Sequence, residues 1–163
     1  MKHFRYVLFA LAIPCLFETC HAESACPWIN QATALGILGT SEGSPAAAPA
    51  EVNATSCRFT YHGEDGIREL RITVEQVKDT DQVFNAYKTK CSSSASSLPA
   101  IGNKAIVCSA DKKGNSEEVI GQVRDSIFTI TLSTSVKKDP SMPQEVLHER
   151  IKLAAEQVSG NLF

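Results

Sequence analysis

The sequence predicts an α+β domain: a two-layer sandwich in which an antiparallel sheet of about five strands carries helices packed on one face, in the order α-β-β-α-β-β-β-α. Three observations lead there. Apolar and polar residues alternate along several short segments, as in Leu70, Ile72 and Val74 against Glu69, Arg71, Thr73 and Glu75, the pattern of strands wet on one side. Polar runs of turn length join these segments, so neighbours pair as hairpins. Apolar stripes at helical spacing stand at the start, middle and end of the chain, and one face of an antiparallel sheet can bury them all.

The first 22 residues have a different character. Lys2 and Arg5 precede an apolar run from Tyr6 to Phe17, and Cys20-His21-Ala22 supplies small residues for cleavage, which together read as a secretory signal cut between Ala22 and Glu23. Residues 23–163 then form a single α+β domain. The run is too short for a helix across a bilayer core of about 30 Å, and later apolar runs are shorter still, so the mature chain is expected to have no transmembrane segment. Glu23 stands where a lipid-attachment site at Cys26 would want an aliphatic residue, so a neutral exported protein, periplasmic or secreted, is expected. A formal charge of −2 over 163 residues, with both signs interspersed, gives no electrostatic case for a nucleic-acid partner.

Pro27 suits a first helical position and makes Cys26 the expected N-cap. Trp28, Ala32, Leu35 and Leu38 follow as one stripe, and Gly39 closes the helix as a left-handed cap. Residues 40–55 read as a connecting loop with a short edge strand near Ala50 to Asn53. Cys57, Phe59 and Tyr61 then alternate with Arg58 and Thr60, His62 to Gly66 turns the chain, and the Leu70–Val74 strand returns. Asp79 offers a capping oxygen for a helix carrying Val83, Phe84 and Tyr87 and ending near Cys91. A Ser-rich loop leads to a Gly102-Asn103 turn, and Ile106 and Cys108 mark the next strand. Residues 119–123 and 127–135 form the last two, joined at Arg124-Asp125-Ser126. Ser141 and Gln144 resemble a capping box for a final helix whose stripe is Leu147, Ile151, Ala154, Val158 and Leu162.

Four cysteines remain after cleavage: Cys26, Cys57, Cys91 and Cys108. An even number in an exported chain argues for two disulfides, and their wide spacing lacks the close pairs of a zinc site. Counting leaves three connectivities open. Pairing each helix-end cysteine with the strand that follows gives Cys26–Cys57 and Cys91–Cys108, each worth about 3–4 kcal/mol by loop closure.

Chemistry-bearing patterns are sparse. His62 reads as a polar turn residue and His148 as an exposed helical residue without the second histidine of a zinc-protease helix. Ser109 to Lys112 and Ser135 to Lys138 match S-x-x-K but at strand ends, where penicillin-binding chemistry does not place its serine. No catalytic residue, metal ligand or cofactor is assigned. The expected binding surface is the polar side of the sheet, with Arg58, Arg71, Thr129 and Thr131 as its candidates.

Cys26 before a helix ending Leu38-Gly39, Cys57 opening a strand, and Ile101-Gly102-Asn103-Lys104-Ala105 together give a pattern that resembles small exported bacterial domains of unknown function, often lipoproteins. The resemblance implies a bacterial envelope protein and no catalytic residue. The expectation is therefore a non-enzymatic module that binds a protein or small ligand in the envelope. Its rivals are a carrier of a small apolar ligand, with its pocket near Trp28, and a hydrolase with a site near His62 or the Ser92–Ser97 loop.

Overall fold

The computed structural model describes residues 25–40, 49–63, 66–91, 95–111, 115–137 and 139–163. The expected signal segment, Ser92 to Ser94, Lys112 and Lys138 lie outside the described residues. Helix α1 spans Gln31–Leu38, four residues later than Pro27 suggested. Asn30, not Cys26, is its N-cap: its Oδ1 accepts the Thr33 N–H at 2.8 Å, a bond that a cysteine makes poorly. The later start shifts the buried face to Ala34, Ile37 and Leu38, leaving Ala32 exposed, while Trp28 and Ile29 enter the core from the preceding bends.

Gly39 ends α1 in the left-handed region at φ 74°, and a side chain there would also run into the Arg150 guanidinium. That approach has a purpose. The last carbonyls of a helix lack intrahelical partners and carry partial negative charge. Arg150 Nη1 donates to Gly36 O and Ile37 O, both at 3.1 Å, and Arg68 Nη1 donates to Leu38 O at 3.0 Å and Gly39 O at 3.3 Å. Two arginines from distant parts of the chain thus fix the end of α1.

The strands are β1 (Pro49–Val52), β2 (Ser56–Gly63), β3 (Gly66–Gln76), β4 (Ser96–Ser97), β5 (Lys104–Ser109), β6 (Ser116–Val123) and β7 (Ser126–Thr134), with α2 (Thr80–Lys88) after β3 and α3 (Gln144–Gly160) at the end. They form one antiparallel sheet in the order β1-β2-β3-β7-β6-β5-β4. The main elements follow the expected order, but the sheet has seven strands rather than five. The additions are two short edge strands, β1 where the sequence suggested one and β4 in the Ser-rich segment.

Not all helices pack on one face. Helices α1 and α3 bury Cys57, Phe59, Leu70, Ile72, Val107, Val119, Phe128 and Ile130, whereas Phe84 of α2 joins Ile106, Ile120 and Ile127, which have the opposite strand phase. Helix α2 therefore lies on the other face, over β6 and the start of β7, with Phe84 clustered against Ile106 of β5. The cause is in β5: Ala105, Ile106, Val107 and Cys108 are all buried, so this strand is apolar on both sides and needs cover on both. Gly121 serves the α3 side, since any side chain there would occupy the space of the Phe128 ring across the ladder.

Both expected disulfides are present, Cys26–Cys57 and Cys91–Cys108, at sequence separations of 31 and 17. They staple opposite layers, because Cys57 faces α1 and α3 while Cys108 shares the α2 face with Ile106, not the main core as expected. The capping box at α3 does not form. Pro143 occupies the N-cap with no side-chain bond, and the Ser141 N–H donates instead to Asp139 Oδ1 at 2.9 Å. No described helix is long and apolar enough to cross a membrane.

Candidate functional site

The sheet's α2-side face divides into a covered part and an open part, and the division sets what each candidate residue can do. Arg58 on β2, Arg71 on β3 and Thr131 on β7 are lateral neighbours in one row, with Glu118 of β6 next beyond. Thr129 is one row away, opposite Thr73 on one side and Ile120 on the other, so it sits at the margin of the α2 cluster. Three of the four expected residues are therefore brought together. Glu69 lies between the two arginines: Arg71 Nη2 is 3.0 Å from its Oε1 and Arg58 Nε is 3.8 Å from its Oε2. All three side chains are about a third to a half exposed, so these ion pairs position the groups and contribute no more than about 1 kcal/mol each.

Glu118 borders this row. Burial raises its carboxyl above the ordinary range, and the Lys90 charge offsets part of the rise. On the α2 side, Tyr87 donates to Glu75 Oε1 at 3.1 Å and Gln122 Nε2 donates to Thr80 Oγ1 at 2.7 Å, fixing the helix where the open surface begins.

Two polar pairs on the α1/α3 face were not anticipated. Arg68, 4% exposed, forms a bidentate pair with Asp139, 2% exposed, through Nε–Oδ2 at 2.8 Å and Nη2–Oδ1 at 3.1 Å. Thr134 Oγ1 also donates to Asp139 Oδ2 at 3.2 Å. Burial acts to raise the Asp139 carboxyl, but the hydrogen bonds from Arg68 and the Ser141 N–H, the Arg68 charge and the Thr134 hydroxyl outweigh it and hold the carboxyl below its ordinary value.

The second pair is Glu117 on β6 with His148 on α3, Oε2 to Nδ1 at 3.0 Å. His148 is half-buried rather than exposed, and Glu117 is 7% exposed. Burial raises the Glu117 carboxyl, with the His148 charge and hydrogen bond working against the rise. The pair lines a cleft of about 370 Å³ with Gln144, Glu145 and Glu149. A smaller recess of about 210 Å³ shares Glu117, Gln144 and His148 and is walled by Ser96, Val107 and Ser109. A signal for both pairs was present, since Arg68 has the strand phase of Leu70 and Glu117 that of Val119.

The other functional candidates are dispersed. His62 is exposed near the end of β2, and Trp28 belongs to the packed core. Among the described residues, no group of three or more His, Cys, Asp or Glu side chains is placed to hold a metal ion. No family model, curated protein or solved structure matches the chain.

Proposed function

We propose that the protein is an exported, non-enzymatic binding module that engages a polar protein partner through the open half of its sheet. The row Arg58, Arg71 and Thr131, held beside Glu69 on a face that α2 leaves uncovered, carries this reading. Strands hold such side chains rigidly, so little ordering opposes recognition, and guanidinium groups with a carboxylate between them suit a partner of mixed polarity. Two disulfides and the signal-like first 22 residues support a periplasmic or secreted location.

The test has two arms. N-terminal sequencing of the protein recovered from the envelope should begin at Glu23, and an uncleaved cytoplasmic chain would refute export. A photo-crosslinker placed at Thr60, beside the row, should capture a discrete partner in the native envelope. The double variant Arg58→Glu/Arg71→Glu should lose the adduct while keeping its melting midpoint. Undiminished capture by that variant would exclude the face, and turnover in an esterase or peptidase screen without any captured partner would exclude the module reading.

A further inference from the structure

The Glu117–His148 cleft lies on the opposite side of the sheet from the open row and has its own chemistry. Consecutive β6 residues point to opposite faces, so Glu118 borders the row while Glu117 turns under the start of α3. The Glu117 side chain is more than nine-tenths buried, yet it spends only Oε2 on His148; no described residue hydrogen-bonds Oε1. A buried carboxylate normally has several donors. The Asp139 carboxylate in the same molecule receives four hydrogen bonds, two from Arg68 and one each from Thr134 and Ser141.

The charges around the cleft are unbalanced. Glu145 and Glu149 join Glu117 in its lining, and the His148 imidazole is the one basic group there. Such a site favours a positive ligand and disfavours an anion. A metal ion fits poorly, because the described residues offer no grouping of three ligand side chains. A primary ammonium fits better: its three donors can meet Glu117 Oε1 and the Gln144 amide, and a short alkyl stem can lie along Val107 in the adjoining recess. The cleft volume, about 370 Å³, is at the small end of ligand sites, which typically run from about 300 to 1,000 Å³.

We propose that this cleft binds a primary ammonium group, carried by a small free amine or by a lysine side chain, with the Glu117 carboxylate as its anchor.

The test uses the disulfide-intact exported chain, ¹⁵N-labelled and at low ionic strength, titrated with n-butylammonium chloride, with Nα-acetyl-lysine N-methylamide and, as controls, with tetramethylammonium chloride and sodium butyrate. Saturable shifts centred on Glu117, Gln144 and His148 are expected with one or both of the first two probes, and which of them binds tighter distinguishes free amine from lysine. Glu117→Gln should weaken binding roughly tenfold or more, as loss of a charge-assisted bond does, and Gln144→Leu, at an exposed position, roughly threefold by loss of a neutral one. Shifts that never saturate, equal response to tetramethylammonium, or unchanged affinity in the Glu117→Gln variant would overturn the proposal. If that variant does not fold, the Gln144→Leu affinity and the location of the shifts in the parent chain decide the matter.

Discussion

Asp139 and Glu117 are carboxylates of nearly equal exposure, 2% and 7%, on the same side of one sheet, and their surroundings drive them in opposite directions. Asp139 is held ionised by a bidentate arginine, a backbone N–H and a hydroxyl, and its partner Arg68 goes on to close the end of α1. Glu117 has one imidazole and an open cleft, and burial pushes its carboxyl up. Burial therefore does not determine the role of a charged group; the completeness of its hydrogen bonding does. The satisfied carboxylate joins α1, β3 and the segment before α3, whereas the other keeps an oxygen available.

The largest effect should come from breaking the satisfied pair. Arg68→Met leaves Asp139 buried without its counter-charge and two α1 carbonyls without donors, and a cost of about 3–5 kcal/mol is expected, read from the midpoint of denaturant unfolding. Glu117→Gln, which keeps hydrogen-bonding capacity toward His148, should change stability by less than about 1 kcal/mol at neutral pH. Equal losses in the two variants would mean that the carboxylates play the same part.

The pH dependence of stability separates them next. A carboxyl held low in the fold contributes stability that is present above its unfolded pKa, near pH 4, and lost as pH falls through the still lower folded value. Asp139 should thus be a source of acid unfolding, and Asp139→Asn should flatten the stability profile below about pH 4. Glu117 has the opposite sign. Its folded carboxyl is raised, so its contribution is most favourable below the unfolded pKa, near pH 4, and declines as pH rises through the folded value. Glu117→Gln should remove that decline, and a steeper decline in the variant would reverse the assignment.

What the sequence made legible follows the same division between complete and incomplete patterns. Where polar and apolar residues alternate, as in Glu69 to Glu75, the strand, its faces and its hairpin were readable, and so were both disulfides, because Cys26 and Cys91 read as helix-end residues and Cys57 and Cys108 lie on the strand that follows each. Where alternation fails, the reading failed. Ala105 to Cys108 is apolar on both phases, and treating Ile106 and Cys108 as the only inward face put α2 on the wrong side. Pro27 signalled a helix start four residues early because Asn30, a stronger cap, follows it. Arg68 and Glu117 each have the phase of a core position, but strand phase names no partner. Asp139 and His148 meet them only through chain closure over 71 and 31 residues.

The smallest stability effect is expected on the open row, where it can be told apart from function. The Arg71 side chain is 48% exposed and its ion pair with Glu69 is solvated, so Arg71→Ala should cost no more than about 0.5 kcal/mol. Unlike Arg68, Arg71 supports no helix end, and unlike Glu117 it carries no burial penalty. Its guanidinium is available to a partner because the fold does not depend on it. The variant should therefore melt like the parent chain yet show weaker partner capture from Thr60. A loss near 3 kcal/mol would place Arg71 with Arg68 as a structural cation, and the open row would then hold the sheet together instead of recognising another protein.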